Sequence, residues 1–411
     1  MKLMIERLGH LGDAIAQGPD GPVFISQVLP GEEVEGDLVG DRLINVRIVT
    51  PVANRVKPPC THARTCGGCL MQHASDAFVA DWKMEIVRSA LTGQGLSAPF
   101  RPTHTSPPRS RRRATFSARR SKNGALIGFH ARGSDLLIPV PNCQLVHPDL
   151  IAAFPALEAL AKLGGSRSGE LAMTVTRSLA GPDVSVAAGK VLDSEMRLQL
   201  ARVAEAHGIA RLTWNDEVVA LRTAPMQRFG RALVCPPPGA FLQATAEGEA
   251  ALLAAVVDAV GPARRIMDLF AGSGTFALPL AERAEVHAAE GDAAMVAALE
   301  KGWRQAEGLK RVTAEVRDLF RRPVEPDELK GFDAVVIDPP RAGAEAQMHR
   351  LAASRVPVIA AVSCNPVTFA RDARTLVKAG YTLDWIQVVD QFRWSAHTEL
   401  AARFSLGNTA R

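Results

Sequence analysis

Nowhere among the 411 residues do 18 apolar residues follow one another, so the sequence offers no membrane-crossing helix. The N-terminus also lacks the pattern of a secretory leader, because Glu6 and Arg7 interrupt it too early. The expectation is a cytosolic (cytoplasmic) chain with no membrane partner. No repeat or low-complexity tract is visible, and 47% hydrophobic residues with ordinary charge describe a globular protein rather than a disordered one. Cysteine is scarce: Cys60, Cys66, Cys69, Cys143, Cys235 and Cys364. In a cytosolic protein of this size, spaced cysteines indicate metal or catalytic sites rather than disulfides.

The length calls for two or three domains, and a net charge of +5 mildly favours a polyanionic partner. Residues 1–58 alternate short apolar segments with Gly-rich turns, and Val23–Val28, Glu33–Val39 and Leu43–Val52 have the pattern of strands. A small OB-like β-barrel fits this pattern, and such barrels grip RNA or single strands as often as they cap a neighbouring domain. Residues 59–240 have a mixed pattern and form an α+β central domain. Within it, Asp76–Leu91 carries apolar residues at helical spacing, an amphipathic helix with a core-facing side.

The central segment opens on Cys60, Cys66 and Cys69, with Gly67 and Gly68 allowing the last two to converge. Cys143 is the best fourth ligand. Four cysteines hold either a tetrahedral zinc or an iron–sulfur cube. A zinc ribbon would show a second close pair, which is absent, and a radical enzyme would show three cysteines in one tight run. From Arg101 to Lys122 there are eight basic residues (Arg101, Arg109, Arg111, Arg112, Arg113, Arg119, Arg120, Lys122) and no acid. With Phe116 among them, this run favours phosphate contacts over a merely solvated face.

From 241 to 411 helices alternate with strands, the rhythm of a doubly wound parallel α/β sheet whose ligands sit at the carboxyl ends of the strands. Three motifs fall at such ends. Asp268-Leu269-Phe270-Ala271-Gly272-Ser273-Gly274-Thr275-Phe276 lets the backbone approach a ligand closely. It is not a GxGxxG and no Gly-Lys-Ser follows, which disfavours NAD and ATP. Glu290, 18 residues beyond Gly272, is placed to accept ribose hydroxyls, and Asp318 ends the next strand near the adenine edge. Asp338-Pro339-Pro340-Arg341 holds a carboxylate in a proline-stiffened loop. In the third motif an apolar run through Val362 leads to Cys364, then Asn365 as helix N-cap and Pro366 at the first helical position. The helix terminus favours a thiolate there; the alternative is an inert buried cysteine. Cys235 has no partner and is assigned a structural role.

Together these stretches and His397-Thr398-Glu399-Leu400 resemble, in order, the RNA uracil-5-methyltransferases, which make 5-methyluridine from S-adenosylmethionine. Leu29-Pro30-Gly31-Glu32 and Cys60…Cys66-Gly67-Gly68-Cys69…Gln72-His73 resemble the subgroup with an N-terminal TRAM barrel and a [4Fe-4S] cluster. The resemblance implies a class I (Rossmann-like) methyltransferase domain at 241–411 and a cluster on Cys60, Cys66, Cys69 and Cys143. It implies cofactor contacts from Gln243, Phe270, Thr275, Glu290, Asp318 and Asp338. Where the family often has Asn two residues after the Gln, this chain has Thr245, and some members have Asn where Thr275 stands.

Carbon 5 of uracil is a poor nucleophile, and a thiolate added at carbon 6 activates it. Cys364 is the expected nucleophile and Glu399 the expected base for the carbon 5 proton, with His397 orienting the base or stacking. The expected substrate is ribosomal large-subunit RNA, with tRNA second, acted on by a monomer. An amino-methyltransferase would need no cysteine and usually carries an aromatic where Arg341 stands. A non-catalytic RNA-binding or assembly factor would keep only the barrel and the cluster.

Overall fold

The computed structural model describes residues 1–122, 124–166 and 169–407. Among the described residues, three large sheets organise the chain. Six short strands, β1 (Lys2–Met4), β2 (Arg7–Leu8), β3 (Ala14–Gly18), β4 (Gly21–Ile25), β5 (Glu33–Val39) and β6 (Arg42–Thr50), curl into the first sheet in the order β1-β5-β6-β4-β3-β2. Alternation turns Leu3, Ala14, Ala16, Val23, Ile25 and Val34 into one small core. Glu32 of the Leu-Pro-Gly-Glu turn is fully buried, accepting from the Leu29 amide at 2.8 Å and from Arg55 Nη2 at 2.7 Å. That pair ties the curled sheet to the stretch that leads into the cysteines.

The helix α1 (Asp76–Thr92) is capped by Ser75 and is followed by β7 (Phe100–Thr105). The central sheet runs β10-β9-β8-β11-β12-β13-β14, built from β8 (Arg113–Arg120), β9 (Ala125–His130), β10 (Leu137–Pro139), β11 (Leu171–Ser178), β12 (Gly181–Ala187), β13 (Arg211–Trp214) and β14 (Glu217–Leu221). Three helices, α2 (Pro148–Ala152), α3 (Phe154–Gly164) and α4 (Ser194–Ala206), go with it, and Leu157, Leu160 and Leu200 share its core with Phe116 and Trp214. A hairpin, β15 (Gln227–Phe229) and β16 (Ala232–Val234), leads to the last unit.

That unit contains α5 (Ala246–Val260), β17 (Arg265–Leu269), α6 (Ala277–Leu280), β18 (Glu285–Glu290), α7 (Ala293–Gln305), β19 (Val312–Val316), β20 (Ala334–Ile337), α8 (Glu345–Ser354), β21 (Val358–Ser363), α9 (Pro366–Lys378), β22 (Tyr381–Asp390) and β23 (Glu399–Leu406). Its sheet order is β19-β18-β17-β20-β21-β23-β22-β7, with separate apolar clusters on its two faces. The first five strands are parallel, as the sequence implies, but β23 runs antiparallel to both β21 and β22. The sheet is therefore mixed. Glu-Leu-Ala-Ala-Arg-Phe-Ser-Leu lacks β-branched residues, so its strand character comes from pairing with both neighbours.

The stretch 59–240 is also divided. β7 extends the C-terminal sheet beside β22, and Val87 and Leu91 of α1 lie in that sheet's core. The basic run is divided with it: Arg112 is buried and Arg101, Arg111 and Arg113 are half-buried. Arg101 pairs with Asp258 at 2.7 Å and stacks on Trp385 at 3.6 Å. Arg112 bonds the Gln243 carbonyl at 3.0 Å and Glu249 at 2.5 Å, Arg113 bonds the Gly239 carbonyl at 3.1 Å, and Arg119 bonds Glu170 at 2.9 Å. Phe116 is fully buried against Phe129 and Phe154, so it is no stacking platform. Arg109, Arg119, Arg120 and Lys122 are exposed. Arg112 thus joins the start of the central sheet to α5, whereas Arg119 pairs within the central unit and Arg101 within the last one.

Candidate active site

Strand order reverses on either side of β17, and there the carboxyl ends of β17, β18, β20 and β21 surround a cavity of about 550 Å³. Phe270, Gly272, Glu290, Asp338, Cys364 and Glu399 all line it. Phe270 adopts φ +61°, a conformation that costs a side chain on the order of 1 kcal/mol, and its ring lies 5.4 Å from that of Phe320. Gly272 at φ +55° leaves open space where a Cβ would stand, while a Cβ on Gly274 would meet Leu278 at 2.7 Å. The loop is thus free toward the cavity and tight toward the core. The Glu290 carboxylate accepts from the Gly272 amide and the Asp292 amide, both at 2.9 Å. These bonds fix the group and leave lone pairs for a ligand's hydroxyls.

The other expected contacts lie outside the lining. Gln243 is buried behind it and donates to Asp338 at 3.3 Å. Asp318 folds onto its own turn, accepting from the Phe320 amide at 3.0 Å. Thr275 sits in the turn before α6 and is absent from the wall. Thr245 caps α5 through the Gly248 amide at 2.9 Å.

Cys364 follows β21 directly, and Asn365 caps α9 by accepting from the Val367 amide at 3.1 Å. The register Ser363↔Leu400 between antiparallel β21 and β23 brings Glu399 beside it. Glu399 is 2% exposed and is held by Gln391, which also donates to Gln243 at 2.5 Å. Burial pushes the Glu399 carboxyl up to about 8, with Asp338 adding to the rise, and burial pushes Asp338 up to about 7. The Cys364 thiol is pushed up to about 11, first by burial and then by Glu399 and Asp338, against the pull of Arg341. The expected thiolate is therefore a thiol in the ligand-free protein, since two carboxyls and burial outweigh the helix terminus. His397 does not orient Glu399. Its ring meets Phe392 edge-on at 5.5 Å, and its Nδ1 lies 3.5 Å from Arg341. Gln391, Phe241 and Phe392 were not singled out from the sequence, having no motif to mark them.

A second groove, about 710 Å³, lies on the other side of Cys364 and is lined by Arg7, His10, Trp82 and Arg341. Cys364 and His397 border both spaces.

Burial and mutual repulsion raise the proton affinity of Cys66 and Cys143, and Cys69 is pushed up to about 12, so these thiols and Cys60 face one another. The Gly68 amide donates to Cys66 Sγ and the Leu145 amide to Cys143 Sγ, both at 3.4 Å. Among the described residues, no three His, Cys, Asp or Glu side chains are grouped to hold a metal ion.

Residues 236–404 match the family model of tRNA (Uracil-5-)-methyltransferase. The 23S rRNA (uracil(1939)-C(5))-methyltransferase RlmD of Halomonas elongata is 32% identical over 97% of this chain and 88% of that protein. The chain belongs to the RNA (uracil-5-)-methyltransferase family. It is accordingly an S-adenosylmethionine-dependent RNA methyltransferase. An RNA methyltransferase of Brucella suis is 41% identical over 99% of this chain and 98% of its own. The fold is shared with the Pyrococcus abyssi tRNA (uracil-54, C5)-methyltransferase solved with S-adenosyl-L-homocysteine, at a TM-score of 0.75, 22% identity and 98% and 99% coverage of the two chains. No described helix is long and apolar enough to cross a membrane.

Proposed function

We propose that this enzyme forms 5-methyluridine in ribosomal large-subunit RNA through a covalent bond between Cys364 and uracil carbon 6. The observation that carries this reading is the meeting of Cys364, Glu399 and Asp338 in one cavity with the Gly272 loop and Glu290. S-adenosylmethionine supplies an electrophilic methyl group. Phe270, Gly272 and Glu290 form the nucleoside end of its site, and Asp338, fixed by Gln243, faces the reacting end. The Cys364 thiol gives its proton to the Asp338 carboxylate, which leaves Glu399 free to accept one later, and the sulfur bonds to carbon 6. The resulting enolate carbon 5 would take the methyl group as the methyl–sulfur bond breaks, leaving the donor as a neutral thioether. Glu399 then removes the carbon 5 proton, the electron pair restores the carbon 5–carbon 6 double bond, and Cys364 leaves. The groove beside Arg7 and Trp82 is the route by which a uridine, turned out of its stack, reaches Cys364 while the methyl donor occupies the other cavity.

The preference for ribosomal RNA rests on the Halomonas elongata relative, which matches nearly the whole chain and is named for 23S rRNA. Labelled methyl transfer to purified 23S rRNA, with tRNA in parallel, tests it. Transfer to 23S rRNA alone is the expected result, and transfer confined to tRNA would reassign the substrate.

The Cys60, Cys66, Cys69 and Cys143 thiols fit a [4Fe-4S] cluster. A cube separates its four thiolates more widely than a single tetrahedral ion does, and the backbone amides on two sulfurs suit thiolates that carry charge. Such a cluster would lock the cysteine loop against the β9–β10 hairpin, where Cys66 bridges to Ala131. Protein prepared without oxygen is expected to be brown, with the colour and bound iron lost in Cys66→Ser; a colourless, zinc-loaded wild type would overturn this assignment.

A further inference from the structure

Lys83 lies on the inward face of α1 and is fully buried, 0% exposed, beside Val79, Trp82 and Val87. An aliphatic side chain would fill that space without the cost of burying an ammonium. Lys83 instead uses all three of its hydrogens, and its acceptors are the last residue of β22 and two carbonyls of the connection from β22 to β23. It donates to Asp390 Oδ1 at 2.5 Å, to the His397 carbonyl at 2.7 Å and to the Phe392 carbonyl at 3.2 Å. These contacts bracket a segment that delivers Phe392 and His397 to the cavity, holds Glu399 through Gln391 and leads directly into Glu399.

The N-terminal half of the chain holds the same segment at two further places. The amides of Leu70 and Met71, next to the last cysteine of the loop, donate to the Trp394 carbonyl at 2.6 and 3.1 Å. Arg393 makes a two-pronged pair with Asp76, both contacts 2.6 Å. The Arg393 pair reaches water through Asp76, whose side chain is 60% exposed, and an ion pair open to water is replaceable. Lys83 is the charged contact made beneath the segment with both partners out of water.

We propose that Lys83 is a positioning residue for the base: by fixing the 390–397 backbone from below, it holds Glu399 at the distance from Cys364 that the final elimination requires. This rests on the role given to Glu399 above. The electrostatics agree in direction. The groups facing Glu399 are Asp338 and Cys364 from the neighbouring strand ends, Gln391 from its own connection, and Lys83 from α1; of these, Asp338 raises its proton affinity and Lys83 lowers it.

The test compares Lys83→Met, Glu399→Gln and the double variant with wild type on an RNA that wild type methylates. If wild type methylates no RNA, the enzyme reading fails first and separately. Turnover by Lys83→Met is expected to fall on the order of 10²-fold, the usual contribution of a positioned base, while a denaturant-stable protein–RNA adduct accumulates. The double variant is expected to be no slower than Glu399→Gln alone. Breakdown of the adduct in Lys83→Met should need higher pH than in wild type, because Glu399 without the nearby cation holds its proton more tightly. Turnover equal to wild type, losses that multiply in the double variant, or an unshifted pH profile would each overturn the proposal. Should Lys83→Met fail to fold, Lys83→Gln, which keeps a donor and the stem, is read by the same criteria.

Discussion

Cys364→Ala is expected to abolish methyl transfer, with a loss on the order of 10⁴-fold or more, while binding of S-adenosylmethionine is retained. The size follows from the chemistry. Without addition at carbon 6, carbon 5 of uracil has no electron density to offer, and no other thiol lines the cavity among the described residues. Binding persists because Phe270, Gly272 and Glu290 lie at other strand ends. Single-turnover transfer and titration of the methyl donor separate the two effects; transfer by Cys364→Ala at the wild-type rate would remove Cys364 from the chemistry. The thiol, pushed up to about 11, also sets a direction for pH. Alkylation of Cys364 in the ligand-free enzyme should accelerate steadily from neutral pH to pH 10, without the plateau near neutrality that a low-pKa cysteine would give.

Glu399→Gln is expected to slow turnover by about 10²–10⁴-fold in a different way, by stopping after methyl transfer. The covalent adduct then outlives denaturation, and the labelled methyl group migrates with protein as well as RNA. A variant that loses turnover without any adduct would show that Glu399 acts earlier. Stability should move in the opposite sense to activity. Glu399 and Asp338 are both raised above their ordinary values, so the folded protein favours their protonated forms. Their favourable contribution is complete below the ordinary carboxylate range and is lost as pH rises through about 7 and about 8. Thermal melting of Glu399→Gln should therefore coincide with wild type near pH 5 and lie above it near pH 9, since the amide has no proton to lose. Equal melting at both pH values would show that Glu399 ionises in the folded protein as freely as in water.

Much of this architecture is local and was open to reading from the chain. The strands that end in Phe270, Glu290 and Asp338 are short apolar runs between helical patterns, and the glycines and prolines at their ends mark loops. Cys364 stood out because Asn365 and Pro366 announce a helix start. Part of the basic run pairs with acids inside the fold, which its sequence does not show. Charge along a sequence says nothing of which acids meet it across the fold, and Glu170, Glu249 and Asp258 lie far along the chain. The proton on the Cys364 thiol was out of reach in the same way, because burial raises its hold first and the two carboxyls that add to the rise come from other strands. Lys83 left a weak trace, a lysine on the apolar face of a helix between Val79 and Val87, but no periodicity names its acceptors, the nearest of them 307 residues away.

The sequence by itself determined the α/β class of the C-terminal unit, the helix-capped cysteine and the cysteine loop, because periodicity, capping and turn chemistry act over a few residues. Only the tertiary structure decided that Glu399 stands beside Cys364. The strand carrying Glu399 is antiparallel and weak in intrinsic propensity, and its place is set by pairing with β21 on one side and β22 on the other. A one-residue shift in that register would turn Glu399 to the opposite face of the sheet. The tertiary structure likewise placed α1 and β7 in the last sheet, putting a buried lysine from the first hundred residues beneath the segment that carries the base.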